Sequence, residues 1–250
     1  MTNSVIESLM DHRSLRRFKE QPVPEEVLET IIKAGTRAPS AGNLQNYSFI
    51  IIDDEEIKRK LEAMDGFNKI SKAPIIIVAL VDTFRIQRWF NINNSKDYSL
   101  NQSSTFFISL WDSLIALHNI TIAAESMGLG GYYVGNIQEY EVKDILNLPS
   151  HTFPGGMYCL GYPEELPRLR ERLPIEGVVH RNTYKTFTDE EINSIYSRED
   201  TIWKNSTQTR KDNFAKEEIY SAADFYARRK YFKDFSKESS EKIDKNIQDF

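Results

Sequence analysis

The chain has 250 residues, 40 % of them hydrophobic and 28 % charged, with a formal net charge of −5. That is enough apolar material for one large domain or two small ones, and the acidic balance argues against a general nucleic-acid or membrane-surface binder. Cys159 is the only cysteine, which excludes an intrachain disulfide and a cysteine-based metal cluster.

The first residues, up to Arg17, hold scattered apolar positions without a continuous apolar core, and the longest apolar run, Ala73 to Val81, is far shorter than a bilayer span. A soluble, cytoplasmic protein without a leader is expected. Val5, Ile6, Leu9 and Met10 recur at helical spacing and predict a first helix. It runs into a basic, hydroxyl-bearing knot, His12-Arg13-Ser14-Leu15-Arg16-Arg17-Phe18. Pro24-Glu25-Glu26 predicts the first turn of a second helix, with a buried stripe of Val27, Leu28, Ile31 and Ile32 and a stop at Gly35.

Ala38-Pro39-Ser40-Ala41-Gly42-Asn43 reads as a loop and Tyr47 to Ile52 as a strand. Asp53-Asp54 predicts a turn and helix cap, followed by a helix over Ile57, Leu61 and Met64. Pro74 to Val81, apolar throughout, reads as a buried strand. Residues 84–104 are polar and aperiodic and read as a surface excursion or lid. From Phe106 to Met127 apolar residues wrap nearly all sides of one long helix, which predicts a central position in a core or interface, with Gly128 as its stop.

Gly130 to Gly135 reads as a short strand flanked by glycines, Val142 to Leu148 as a helix, and Met157 to Leu160 as another strand. Thr188-Asp189-Glu190-Glu191 has capping-box spacing. Beyond it the chain is polar, dotted with aromatics such as Tyr220, Phe225, Tyr226, Tyr231 and Phe232, and reads as helical without a core of its own. Mixed strands and helices imply an α+β domain, a central mixed β-sheet covered by helices. The expected organisation is a domain over residues 1–187 and a helical C-terminal extension over 188–250 that is not an independent domain.

A second basic segment, Arg168-Leu169-Arg170-Glu171-Arg172-Leu173-Pro174, stands far along the chain from the first. In an extended segment Arg170 and Arg172 share a face, and guanidinium forks match phosphate oxygens. Two cationic knots in an acidic chain suggest one small phosphorylated ligand held from both sides. The plainer alternative for Arg170 and Arg172 is a surface loop with salt bridges to Glu164, Glu165 or Glu171. For Ser40 to Gln45 it is ordinary turn chemistry. Gly128-Leu-Gly-Gly131 is not a dinucleotide fingerprint, because the helix precedes the glycines. His118, His151 and His180 are isolated, and Cys159, in an apolar strand, is expected to be inert.

His12-Arg-Ser-Leu-Arg-Arg-Phe18, Ala38-Pro-Ser-Ala-Gly-Asn-Leu-Gln45, Gly128-Leu-Gly-Gly-Tyr-Tyr-Val-Gly135 and Leu160-Gly-Tyr-Pro163 with Arg170-Glu-Arg-Leu-Pro174 stand in one order. Together they resemble the FMN-dependent nitroreductase family, in particular its larger NADPH-using branch of oxygen-insensitive nitroreductases and flavin reductases. The resemblance covers roughly Val5 to Tyr184. It implies a homodimer with two FMN sites at the subunit interface and ping-pong chemistry, in which NADPH or NADH passes a hydride to flavin N5 and a nitroaromatic, quinone or flavin then accepts it. The C-terminal extension would embrace the partner and cover the substrate site. No catalytic acid or base, resident metal, nucleic acid or membrane is implied.

By family position, His12 and Ser14 lie at the phosphate and ribityl end of FMN, with Arg13 as a further contact. Arg16 lies near N1 and O2, where a fixed cation stabilises the reduced anionic ring. Arg170 and Arg172 serve the phosphate. Ser40, Gly42, Asn43 and Gln45 reach the flavin across the dimer interface, and Tyr133, Val134, Gly135 and Asn136 run along the ring edge, where glycine allows close backbone approach. The family has Gln where this chain has Phe67, so either Asn68 takes the polar role or Phe67 shapes the substrate site. Arg210 and Lys211 are candidates for the extra phosphate of NADPH. Three functions remain open: a nitroreductase-type oxidoreductase, an enzyme of the same fold with another role, and a non-catalytic flavin sensor. The second would supply reduced FMN to a monooxygenase or use the flavin for dehydrogenation or dehalogenation.

Overall fold

A computed structural model describes residues 3–64, 70–135, 137, 140–231, 237, 240–241, 243–245 and 247. The chain forms two compact units, one of Met1–Leu169 with Glu241–Phe250 and one of Arg170–Ser240.

The first unit is built on a four-stranded sheet: β1 (Tyr47–Ile52), β2 (Ile75–Asp82), β3 (Gly130–Val134) and β4 (Thr152–Gly161), in the order β1-β2-β4-β3. Every pairing among the described residues is antiparallel, whereas a mixed sheet was expected. The two inner strands are buried on both faces, β4 at all ten positions, which explains their unbroken apolar runs. Strand β4 is longer than Met157–Leu160 because it starts at Thr152 and takes Pro154 into the ladder, where the register against β2 shifts between Ala79 and Leu80.

Strand alternation sorts the core. Ile76, Val78, Leu80, Met157 and Cys159 face Leu61 of α3 (Glu55–Glu62) and Val142 of α6 (Tyr140–Ile145). Ile75, Ile77, Ala79, Tyr158 and Leu160 face Leu28 and Ile31 of α2 (Glu25–Gly35) and Leu117, Ile120 and Ala124 of α5 (Ser103–Ser126). By length and composition α5 could cross a membrane, yet in this fold it packs on α2 and the sheet. Gly128, at φ +78, ends it as expected. Helix α2 ends at Gly35 as expected, and a Cβ there would run into Ile120 of α5, so the glycine also permits close helix packing.

The first helix forms where the spacing predicts it: α1 (Ser4–Met10), capped by the Asn3 side chain, with Val5, Ile6, Leu9 and Met10 exposed. One reading of the sequence is corrected: the polar stretch after β2 is not aperiodic. It opens with α4 (Phe84–Ile92), whose Ile86 is buried, and Phe90 packs edge-on to Tyr98 with ring centroids 4.8 Å apart.

The second unit carries α7 (Asp189–Ile195), α8 (Ser197–Lys204), α9 (Gln208–Ala215) and α10 (Ala222–Lys230). The capping box at Thr188 and Glu191 is formed. Although no core was expected here, the unit builds a small aromatic cluster from Trp203, Phe214, Phe225 and Tyr226, with neighbouring ring centroids 5.4–5.7 Å apart, beside buried Ile219 and Ala222.

Candidate functional site

The basic knot is extended chain lying beside the sheet. The Leu15 amide donates to Gly131 O (2.8 Å), and the Lys19 amide donates to Tyr162 O (2.9 Å). Phe18 bridges to Pro163. Leu15 is the buried anchor of the knot. Neighbouring side chains then alternate, and Ser14 and Arg16 remain exposed. The Arg16 guanidinium lies over the Tyr132 ring at 5.3 Å, a cation–π contact, and Phe18 stacks on the same ring at 6.4 Å. Burial first, and then the neighbouring Cys159, push the Tyr132 hydroxyl well above the ordinary phenol range, so it stays neutral beside Arg16.

His12 reaches the far end of α5, where its Nδ1 meets Glu125 Oε1 at 2.6 Å. A carboxylate on Nδ1 favours a proton there and leaves Nε2 for another partner. Both terminal nitrogens of Arg13 bond to Asp11, at 2.9 and 2.8 Å, while its Nε is sealed from solvent and has no partner among the described residues. A cavity of about 1020 Å³ borders this region, lined in part by Arg13, Leu15, Glu125 and Leu169.

Strand β3 runs alongside the knot. The Tyr133 hydroxyl bonds Thr121 Oγ1 at 2.7 Å and lies 3.4 Å from His118 Nδ1. Burial raises the Tyr133 phenol above its ordinary value. Val134 is half-buried and Gly135 exposed, and a Cβ on Gly135 would meet nothing within 4 Å. The knot and β3 thus run side by side, with Arg16 over Tyr132 and the Tyr133 hydroxyl turned to α5.

The Ser40–Gln45 segment lies elsewhere. Its Ala41–Asn43 turn packs on α5 near Asp112, the Ala41 amide donating to both carboxylate oxygens at 3.1 and 3.3 Å. Gly42, Asn43 and Gln45 all take positive φ, and the Ser40 hydroxyl is buried without a partner among the described residues. Asp112 and Glu125 stand thirteen positions apart on α5. That spacing separates the loop's anchor from the knot's anchor by about 20 Å along the helix axis. One chain thus does not bring the loop and the knot together.

Arg170 and Arg172 begin the second unit and are exposed. The salt bridges considered for them go to other residues: Glu165 pairs with Arg17, and Glu171 pairs with Arg198. Arg198 also donates to the Glu171 carbonyl, fixing the residue between the two arginines. Arg210 lies over the Phe214 ring of its own helix at 5.5 Å, and the Lys211 ammonium bonds Lys204 O at 2.7 Å, capping α8. Phe67, Asn68, Asn136 and Phe232 lie outside the described residues.

The chemistry of the described residues fits a flavin nucleotide. Within the first unit the knot offers guanidinium and imidazole groups of the kind that suit an anionic tail. Buried Arg13 Nε and Ser40 Oγ lack partners among the described residues, as polar atoms do where a ligand supplies the missing bond. Exposed backbone at Gly135 permits close approach to a flat ring.

Asp112, Glu125 and Arg85 were not picked out from the sequence. The first two carry a signal in hindsight, being the only acidic residues in the 24-residue α5, which has no Lys or Arg. Arg85 bonds Gln45 O and Tyr47 O, each at 2.6 Å, a role that no local pattern announces.

Comparison with known proteins identifies the family. The sequence model described as Nitroreductase family matches residues 9–162, from the knot through β4. The chain is 33 % identical over 204 residues to the FMN reductase (NADPH) of Bacillus subtilis, covering 80 % of this chain and 82 % of that protein. It is 34 % identical to the oxygen-insensitive NADPH nitroreductase of Salmonella typhimurium, over 78 % of this chain and 80 % of that one. Its fold is similar to that of the NADPH:FMN oxidoreductase of Vibrio harveyi, solved in complex with NAD+, with a TM-score of 0.72, 31 % identity, and 88 % and 94 % of the two chains covered. With a family match over more than half its length and relatives above 30 % identity along most of it, the chain belongs to the nitroreductase family.

Proposed function

We propose that this protein is an FMN-dependent NAD(P)H oxidoreductase that reduces nitroaromatics, quinones or flavins. The observation that carries the reading is the cationic segment His12–Arg16 docked along β3, whose Arg13 Nε is buried without a partner among the described residues. Bound FMN would supply the redox chemistry, accepting a hydride from the nicotinamide and delivering it to the acceptor.

The protein's own residues bind and tune. His12, Arg13 and Ser14 hold the phosphate and ribityl end, with Arg170 and Arg172 as further phosphate partners. Arg16 holds a fixed positive charge beside the ring system, lowering the cost of negative charge there without any reorganisation. Tyr133, Val134 and Gly135 offer backbone groups to the ring edge. Ser40, Gly42, Asn43 and Gln45 belong to the other half of the pocket. Because that loop is anchored about 20 Å along α5 from the knot, a second copy supplies it. The same second copy would cover α1 and the exposed stripe of Phe107, Trp111 and Ile115 on α5. The working form is then a homodimer, with residues 188–250 as an extension embracing the partner and covering the substrate site. Arg210 is the better of the two candidates for the extra phosphate of NADPH, because Lys211 already caps α8.

A second reading stays within the same site: delivery of reduced FMN to a monooxygenase. It is favoured by the likeness to a protein named FMN reductase (NADPH). Steady-state assays with a nitrofuran, a quinone and free FMN separate the two, strong turnover of free FMN with negligible nitro reduction favouring the reductase. The experiment for the shared reading is an absorption spectrum of the purified protein before and after NADPH or NADH. A flavin spectrum that bleaches on addition is expected. A colourless protein that fails to take up added FMN would overturn the reading.

A further inference from the structure

The Ser40–Gln45 loop holds a conformation it would not choose alone. Asn43 and Gln45 have φ of +56 and +49, the left-handed region that side chains with a Cβ rarely adopt. Such residues persist where the surroundings over-determine them. Within the loop the bonds are local: Asn43 N to Ser40 O, Leu44 N to Ala41 O, and the Gln45 side-chain amide to the carbonyl and the side-chain oxygen of Asn43. The outside support comes from two charged residues. Asp112, 6 % exposed, accepts from the Ala41 amide at the start of the turn. Arg85 donates to Gln45 O and Tyr47 O at its end and also bonds Ser48 Oγ at 2.7 Å.

Asp112 stands in an environment that is poor for a carboxylate. It shares a helix face with fully buried Ser109 and Ala116, and Tyr47 packs against Ala116. The hydroxyls of Ser109 and Tyr47 are buried without partners among the described residues. Burial raises the Asp112 carboxyl above the usual range, opposed by the Ala41 bond, and it raises the Tyr47 phenol as well. The apolar packing of α5 gains nothing from an acid here. The acid holds the backbone of one loop.

We propose that Asp112 is a positioning residue of the ligand site. It fixes the Ser40–Gln45 loop to α5 at Ala41, with Arg85 as a second clamp at Gln45, so the loop's affinity for its ligand is set from the helix. The inference rests on the reading that this loop contacts bound FMN. α5 then registers both halves of the pocket, one through Asp112 and one through the Glu125–His12 pair.

The test uses the full-length protein, titrated with FMN by fluorescence, together with hydrogen–deuterium exchange of the peptide spanning residues 38–46 without FMN. Asp112→Ala removes the acceptor. It should weaken FMN about tenfold and speed exchange at Ala41 by a similar factor, as expected for one lost hydrogen bond to a charged group. Asp112→Asn keeps an oxygen in reach of the amide and should restore affinity to within about threefold of wild type. Ala41→Pro removes the donor from the loop side without touching the core, so it carries the test if Asp112→Ala does not fold. Ser40, at φ −144 and ψ 152, already has the backbone that a following proline requires. The double variant should be no worse than either single one.

Wild-type FMN affinity in both Asp112→Ala and Ala41→Pro would overturn the inference and leave the proposed function standing. A wild-type protein that binds no FMN would remove the proposed function first, and the inference with it. That outcome is read before any variant is made.

Discussion

The two units of this chain hold their expected ligand groups in opposite ways. In the first, each candidate segment is tied to a buried frame: the knot through Leu15 to Gly131 and through His12 to Glu125, the loop through Ala41 to Asp112. In the second, Arg170 and Arg172 stand on an exposed segment, steadied between them by the single side chain of Arg198 on Glu171. The difference is one of pre-organisation. Groups fixed by a close-packed sheet and helix keep their geometry without the ligand, whereas long exposed arginines lose rotamer freedom when they bind. On the proposed reading, the groups of the first unit are pre-organised for a ligand and the arginines of the second are not.

Four substitutions break or sharpen that comparison. Gly131→Ala strikes the frame. Its Cβ would collide with the Cys159 carbonyl and meet Tyr158 Cζ at 2.9 Å, backbone and core atoms that have no room to retreat. The expected cost is about 3 kcal/mol or more, a fall in melting temperature of roughly 6–12 °C by calorimetry. An unchanged melting temperature would show that the frame is looser than its packing indicates.

Arg16→Ala should slow the bleaching of bound FMN by NADPH by on the order of 10²-fold in stopped-flow traces, while FMN affinity changes less. A larger effect on affinity than on rate would move Arg16 from the ring to the tail. Arg172→Ala should do the reverse, weakening FMN by about 1.5–3 kcal/mol with little change in the reduction rate of the saturated protein. Retention of wild-type affinity would assign the phosphate to the first unit alone. The smallest effect is expected for Arg198→Ala, which frees Glu171 and so loosens Arg170 and Arg172 without removing either. FMN affinity should fall by about 1 kcal/mol, roughly fivefold. No loss would mean that the second segment needs no fixed geometry.

Much of this molecule was legible from its residues. Apolar runs announced β1 and β2, Pro24 and Asp54 marked the starts of two helices, Thr188 and Glu191 formed their capping box, and Gly128 ended α5 with a positive φ. These are local signals, written within a few residues of where they act. Helix α4 was missed because Arg85, Gln87, Arg88 and Asn91 interrupt its apolar positions and the segment after it is rich in Asn and Ser. The small aromatic core of the second unit was missed because Trp203, Phe214 and Phe225 lie on three different helices.

The sequence by itself determined the family and most elements of the first unit, and it named the residues that the resemblance implies for a flavin. It could not determine which groups are already engaged. That His12 leans on Glu125, 113 positions away, and that the Ala41 amide is held by Asp112, 71 positions away, follow only from how α5 packs against the sheet and the loop. The same packing left the α1 stripe exposed and anchored the loop and the knot far apart on one helix. Local propensity and capping act over one or two turns, whereas the partners of a buried charge are chosen by close packing of segments distant in sequence. For that reason the tertiary structure alone decided how the candidate pocket is divided.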